Sequence, residues 1–161
     1  MPVHTKIKGK LTFRITAVLF IFSAVFELFT ITGAVFLFGS VRAGPVALIY
    51  HVLYTALYFT LAMGLWGAKP WGARLVFIAT VFYTLDKAQF IVYRKAVLTT
   101  LAAKTGPFRD ILSMVDTNLL LQVLTVATLF IVACWWGFAF YTYLRRDYFA
   151  IEKEYDRSGY K

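Results

Sequence analysis

The sequence predicts an all-α integral membrane protein, a bundle of four transmembrane helices that run alternately up and down. Hydrophobic residues make up 60% of the 161 residues, and the mean hydropathy is +0.70. A soluble domain of this length cannot bury so much apolar surface. The apolar residues also fall into four stretches, each long enough for the roughly 20 residues that a bilayer-crossing helix needs. We therefore expect residues 1–161 to form a single transmembrane domain.

The first predicted span covers about residues 13–39. Lys6, Lys8, Lys10 and Arg14 precede or begin it, which resembles the start of a signal peptide. The apolar run is too long for a signal peptide, however, and it ends without a small-x-small cleavage site. The span is therefore expected to stay in the protein as its first helix.

The second predicted span covers about residues 46–66, and the third covers about residues 71–93. Gly44-Pro45 is a strong stop signal before the second span, and Pro70 lies in the loop before the third. Both loops are too short for the chain to recross the membrane. Consecutive helices are therefore expected to be antiparallel neighbours.

The fourth predicted span covers about residues 119–144, and residues 145–161 are expected to form a cytoplasmic tail. Between the third and fourth spans, residues 94–118 mix apolar and charged side chains around Gly106-Pro107. The apolar spacing predicts a short amphipathic helical excursion along the membrane surface. A loop packed over the end of the bundle fits the same residues equally well.

The positive charges predict the orientation of the chain. The net charge is +9, but the basic residues lie in short flanks beside apolar segments, where they contact anionic lipid rather than nucleic acid. Eleven of the 17 Lys and Arg residues lie on the side of both termini, and five lie on the other side. The positive-inside rule then predicts a multi-pass protein of the cell's inner (plasma) membrane with cytoplasmic N- and C-termini.

Several kinds of chemistry have no pattern in this sequence. Cys134 is the sole cysteine, so a disulfide within the chain and a CxxC motif are excluded. His4 and His51 are the two histidines, and neither belongs to a metal-ligand or catalytic motif. No metal, cofactor or catalytic residue is therefore predicted, and an enzyme is not the favoured class.

Ionisable residues inside the spans carry the functional signal, because each costs a few kcal/mol in a bilayer unless it is paired or hydrated. The three clear cases are Glu27 in the first span and Asp86 and Lys87 in the third. About 100° separates two consecutive residues around a helix axis. One arrangement that fits this geometry pairs Lys87 with Glu27 and turns Asp86 toward another polar group.

Polar residues on the other spans can face the same region and complete a site. The residues predicted to form a ligand site or ion pathway are Glu27, Asp86, Lys87, His51, Tyr54, Tyr58, Tyr83 and Gln122. Buried pairs of this kind can equally serve only to fix which helices touch.

Three functional hypotheses follow, and they belong to different classes. The first is transport or channelling of an ion or small polar solute through the polar site, by a homo-oligomer, because a single four-helix bundle has little room for a pore. The second is a non-enzymatic accessory or lipid-binding subunit that contacts membrane lipid or a partner membrane subunit. The third is a lipid-modifying enzyme or a haem-binding subunit.

Overall fold

The computed structural model describes residues 9–98 and 116–149, and these residues are mostly helical. Four helices are long and apolar enough to cross a membrane, which confirms the four apolar helices that the sequence predicts. They are α1 Lys10–Phe29, α2 Pro45–Trp66, α3 Pro70–Val92 and α4 Thr117–Leu144. Most of the predicted excursion between α3 and α4 lies outside the described residues.

Side-chain contacts show that α1 and α2 run in opposite directions. Near the start of α1, the guanidinium of Arg14 lies 5.3 Å from the ring centroid of Trp66, the last residue of α2. Further along, the rings of Phe20 and Tyr58 are stacked with centroids 5.9 Å apart. The sequence distance between contacting residues therefore shrinks along α1, as it must for antiparallel neighbours.

The first helix ends at Phe29, well before the predicted boundary near residue 39. An antiparallel hairpin of β1 Val35–Leu37 and β2 Ser40–Arg42 follows it. Phe38 and Gly39 form the two-residue loop with φ of 50° and 79°, the positive φ values that tight hairpins require. The apolar run therefore continues past Phe29 into a strand and not as helix. A short apolar segment can form either a helix or a strand, so the sequence pattern alone does not distinguish them.

The hairpin packs against the end of α3. An added Cβ at Gly39 would lie 2.8 Å from the ring of Tyr93, so the loop can approach this ring only with glycine at that position. The rings of Phe36 and Phe90 are also in contact, with centroids 5.7 Å apart. We call the end of the bundle that carries this hairpin the hairpin end.

Aromatic side chains close the opposite end of the molecule. Phe13 is fully buried and stacks on Tyr148 with ring centroids 4.7 Å apart. Tyr148 belongs to a short 3-10 helix, Arg146–Phe149, that follows α4. Burial raises the pKa of Tyr148 against the lowering effect of Arg14, so at neutral pH the phenol stays protonated and donates to the Leu65 carbonyl at 3.0 Å.

The helices α2 and α3 cross closely near the turn that joins them. An added Cβ at Gly72 would lie 2.7 Å from the carbonyl carbon of Gly64, and one at Gly64 would lie 2.7 Å from the Cα of Gly72. The backbones of the two helices are therefore in direct contact at this crossing, and neither helix leaves room for a side chain at these positions. The pair sets the distance between the two helices that border the site described below.

This crossing predicts a difference between two glycine-to-alanine variants. Gly72→Ala should lower the free energy of unfolding by about 1–3 kcal/mol, because the added methyl overpacks a backbone contact. Gly137→Ala is the matched control, since Gly137 lies in α4 and no described atom is within 4 Å of its added Cβ. The control should be neutral or stabilising by up to about 1 kcal/mol. Unfolding in mild detergent measures both variants, and equal stability would contradict the close crossing.

Candidate functional site

Glu27 and His51 form a pair between α1 and α2 near the hairpin end, with His51 buried and Glu27 partly buried. His51 Nδ1 lies 2.6 Å from Glu27 Oε2, and His51 Nε2 lies 3.3 Å from the carbonyl oxygen of Gly33. A carbonyl oxygen only accepts, so Nε2 carries a proton. The pair thereby fastens the end of α1 and the start of the hairpin segment to α2.

Asp86 is the centre of a second polar group on α3. Its Oδ2 accepts hydrogen bonds from Lys87 Nζ at 2.7 Å and from the Tyr50 hydroxyl at 3.3 Å. Its Oδ1 accepts from Gln89 Nε2 at 2.9 Å, because residues three apart share a helix face. Gln89 Oε1 in turn accepts from the backbone N–H of Phe38 at 2.8 Å. Asp86 therefore connects α2, α3 and the loop of the hairpin.

The pairing of Lys87 differs from the sequence-based expectation. Lys87 pairs with its neighbour Asp86, whereas Glu27 pairs with His51. The two side chains leave the helix in different directions, but the long methylene stem of lysine lets Nζ turn back to the carboxylate. The ammonium also lies 5.0 Å from the ring centroid of Tyr83 and 4.8 Å from that of Phe90.

A row of tyrosines on α2 lies between the two polar groups. The ring of Tyr50 meets the edge of the His51 ring, with centroids 5.7 Å apart. Tyr50 also contacts Tyr54 at 4.6 Å, and Tyr54 contacts Tyr58 at 5.6 Å, as expected for residues four apart on a helix. Tyr50 thus touches both His51 and Asp86 and joins polar groups from three helices.

The remaining predicted site residues, Tyr83 and Gln122, do not belong to either hydrogen-bonded polar group. Tyr83 stacks on Trp135 of α4 with ring centroids 4.8 Å apart. Gln122 is exposed on α4, and no hydrogen bond joins it to the described residues of either polar group.

Two residues of the polar groups, Tyr50 and Gln89, were not among the predicted site residues. The spacing of Gln89 three residues after Asp86 is the sequence signal that could have identified it.

A cavity of about 550 Å³ lies between α2 and α3 beneath the hairpin. Tyr50, Asp86 and Gln89 lie toward the hairpin end of its wall, Tyr54 lies one turn further along α2, and the other residues of the wall are apolar. Leu53, Phe82 and Leu85 are 61–66% exposed, so the cavity opens on the side of the helix pair. The described residues of the wall are Leu37, Phe38, Tyr50, Leu53, Tyr54, Leu57, Phe82, Leu85, Asp86 and Gln89.

The donor groups around this cavity do not form a metal site in the part of the chain that the structure describes. Within residues 9–98 and 116–149, no three His, Cys, Asp or Glu residues come together in a way that could hold a metal ion. What the arrangement offers instead is hydrogen bonding at one end of an apolar space. Such a combination fixes the orientation of an organic ligand.

The Glu27–His51 pair predicts non-additive effects in a double-mutant cycle. His51→Phe alone should cost about 3 kcal/mol of unfolding free energy, because it leaves the partly buried Glu27 carboxyl group without its partner. The double variant Glu27→Met/His51→Phe should be more stable than the sum of the two single effects predicts, by about 1–3 kcal/mol. Unfolding in detergent measures all four proteins. Additivity within about 0.5 kcal/mol would show that the pair is not coupled.

Comparison of the chain with protein-family models, with curated proteins and with solved structures found no match.

Proposed function

We propose that this is a multi-pass membrane protein that binds an amphipathic, lipid-like molecule in the cavity between α2 and α3. The observation that carries this proposal is the uneven distribution of polar groups in the wall. Tyr50, Asp86 and Gln89 lie toward the hairpin end, which Leu37 and Phe38 of the hairpin also border. Leucine and phenylalanine side chains line the rest together with Tyr54. A ligand that is polar at one end and apolar along its length matches such a wall.

The depth of the polar end supports the same ligand. Tyr50 lies five residues after the start of α2, and Asp86 lies six residues before the end of α3. At 1.5 Å per residue, both are about 7–9 Å from the helix ends. In a bilayer the polar end of the cavity would lie close to the head groups, and the apolar part would point toward the bilayer centre. A membrane lipid has the same orientation.

The lateral opening supports entry from the bilayer. Leu53 on α2 and Leu85 on α3 are exposed beside the cavity, so an amphiphile can enter between the helices without leaving the lipid phase. The positive-inside rule predicts that both termini lie in the cytoplasm. In that orientation the hairpin end lies on the side of the membrane away from the cytoplasm. The ligand would then come from the outer leaflet of the plasma membrane.

Transport of an ion or small polar solute is the second candidate, and the position of Asp86 on the cavity wall favours it. Intramembrane carboxylates often line the paths of ions and protons. The polar groups around Asp86 lie at one depth, however, and the described interior at the opposite end is filled by buried side chains such as Phe13, Leu61 and Leu65. This candidate therefore requires a rearrangement or a second copy of the chain.

Filling the cavity should prevent binding of the amphiphile. We expect Leu53→Trp to weaken binding of a fluorescent long-chain alcohol at least about tenfold, because the indole occupies the space of the ligand chain. Leu129→Trp on α4 is the matched control, since Leu129 is also exposed and lies outside the wall. Fluorescence titration in nanodiscs measures binding, and mass spectrometry of the purified proteins measures retained lipid. Equal binding by the two variants would refute the proposed site.

Flux measurements distinguish the second candidate from the first. If Asp86 lies on a transport path, proteoliposomes of the unmodified protein should conduct ions or protons faster than protein-free liposomes, and Asp86→Asn should return the flux to the protein-free level. Asp147→Asn is the control, because Asp147 is exposed in the 3-10 helix away from the cavity. Flux that is absent in the unmodified protein, or unchanged in Asp86→Asn, would reject transport through this site.

A further inference from the structure

The polar end of the cavity carries no net charge. Asp86 is the one formally charged residue among the described residues of the wall, and Lys87 Nζ lies 2.7 Å from its Oδ2. The ammonium reaches the carboxylate from the side of Tyr83 and Phe90 rather than from the cavity. The two opposite charges therefore cancel at the wall.

The carboxylate of Asp86 has little capacity left for a ligand. It already accepts hydrogen bonds from Tyr50, Lys87 and Gln89, and its side chain is only 9% exposed. A cationic head group could bind it closely only by displacing Lys87. That displacement would leave a lysine ammonium without its partner in an apolar environment, which is strongly unfavourable.

An anionic head group meets the converse obstacle. Phosphate and carboxylate are recognised by arginine and lysine through charge-assisted hydrogen bonds. Neither residue type is present among the described residues that line the cavity. The ammonium of Lys87 is committed to Asp86. An anion at this end would therefore lie beside the carboxylate without compensation.

The groups that remain are suited to uncharged partners. Tyr50 and Tyr54 belong to the wall, and their O–H groups are already used, since Tyr50 donates to Asp86 and Tyr54 hydrogen-bonds Tyr50. What the two phenols can still offer a ligand is the capacity of their oxygens to accept a hydrogen bond. Gln89 Nε2 has a second N–H beyond the one directed at Asp86. These groups match a hydroxyl or carbonyl oxygen of a ligand.

We infer that the ligand of this cavity is a long-chain amphiphile with an electrically neutral head group that bears hydroxyl or carbonyl oxygens. The inference rests on the proposed function, since it names the chemical class of the ligand for the same cavity. Long-chain alcohols and monoacylglycerols represent this class, whereas alkyl phosphates and alkylammonium ions do not.

A competition experiment with three amphiphiles of equal chain length tests the inference on the unmodified protein. Monolauroylglycerol, lauryl phosphate and dodecyltrimethylammonium compete with a fluorescent long-chain alcohol in nanodiscs, and each concentration is expressed per mole of membrane lipid. The neutral amphiphile should bind at least about tenfold more tightly than either charged one. Equal or tighter binding of a charged amphiphile would overturn the inference.

Substitutions at the charge pair should change this preference in opposite directions. Lys87→Met leaves the carboxylate uncompensated, so dodecyltrimethylammonium should become the tightest ligand, with a gain of about a hundredfold. Asp86→Asn leaves the ammonium uncompensated, so lauryl phosphate should gain by a similar factor. The double variant Asp86→Asn/Lys87→Met is neutral again and should prefer monolauroylglycerol. Folded single variants that keep the order of the unmodified protein would overturn the inference.

The outcomes separate this inference from the proposed function. If none of the three amphiphiles displaces the probe from the unmodified protein, and the probe itself does not bind, both the proposed function and the inference fail. If a charged amphiphile binds best, the cavity is a lipid-like site and only the neutral class is wrong. Circular dichroism and size-exclusion elution show which variants fold, and the ranking on the unmodified protein decides the inference where a variant does not.

Discussion

The structure at the hairpin end depends on one constraint, the need to compensate ionisable side chains within helices that are otherwise apolar. Glu27 is matched by His51, and Asp86 is matched by Lys87, Gln89 and Tyr50. Each match also recruits backbone from the hairpin segment. His51 donates to the Gly33 carbonyl, and Gln89 accepts from the Phe38 N–H. The contacts that compensate the ionisable side chains therefore also hold the hairpin in place.

The hairpin in turn creates the cavity beneath it. If α1 continued as a helix past Phe29, the chain would leave the bundle instead of folding back over α2 and α3. The tight loop at Phe38 and Gly39 brings Phe38 onto the cavity wall while its backbone is held by Gln89. At the other end, the Gly64–Gly72 crossing holds the same two helices close together. The space between α2 and α3 is thus closed near the turn, and at the hairpin end it is bordered by polar groups.

Sequence reasoning predicted α2, α3 and α4 to within a few residues, because glycine and proline or a change in polarity mark their ends. It extended α1 too far, since the apolar run from Phe29 to Gly39 contains no proline and hydropathy alone does not distinguish strand from helix. Glu27, His51, Asp86 and Lys87 were recognised as informative, but Lys87 was expected to pair with Glu27, whereas it pairs with Asp86, and Glu27 pairs with His51. The direction of a Cα–Cβ bond does not fix where a long lysine side chain ends, and helix rotation decided that Gln122 would be exposed. The cavity was not predicted either, because it lies beneath a hairpin that the sequence analysis assigned to the first helix.

The two polar groups differ in how well a purely structural role explains them. Glu27 and His51 satisfy each other and the Gly33 carbonyl, and neither belongs to the described cavity wall, so fixing the contact between α1 and α2 accounts for them. The bundle has a simpler means of fixing helix contacts, as the crossing of Gly64 and Gly72 shows without any charge. Buried ion pairs add little stability over apolar packing. Asp86 also holds α2 and the hairpin loop through Tyr50 and Gln89, but unlike the Glu27–His51 pair it lies on the wall of an open cavity. This asymmetry makes the Asp86 group, rather than the Glu27–His51 pair, the centre of the proposed binding site.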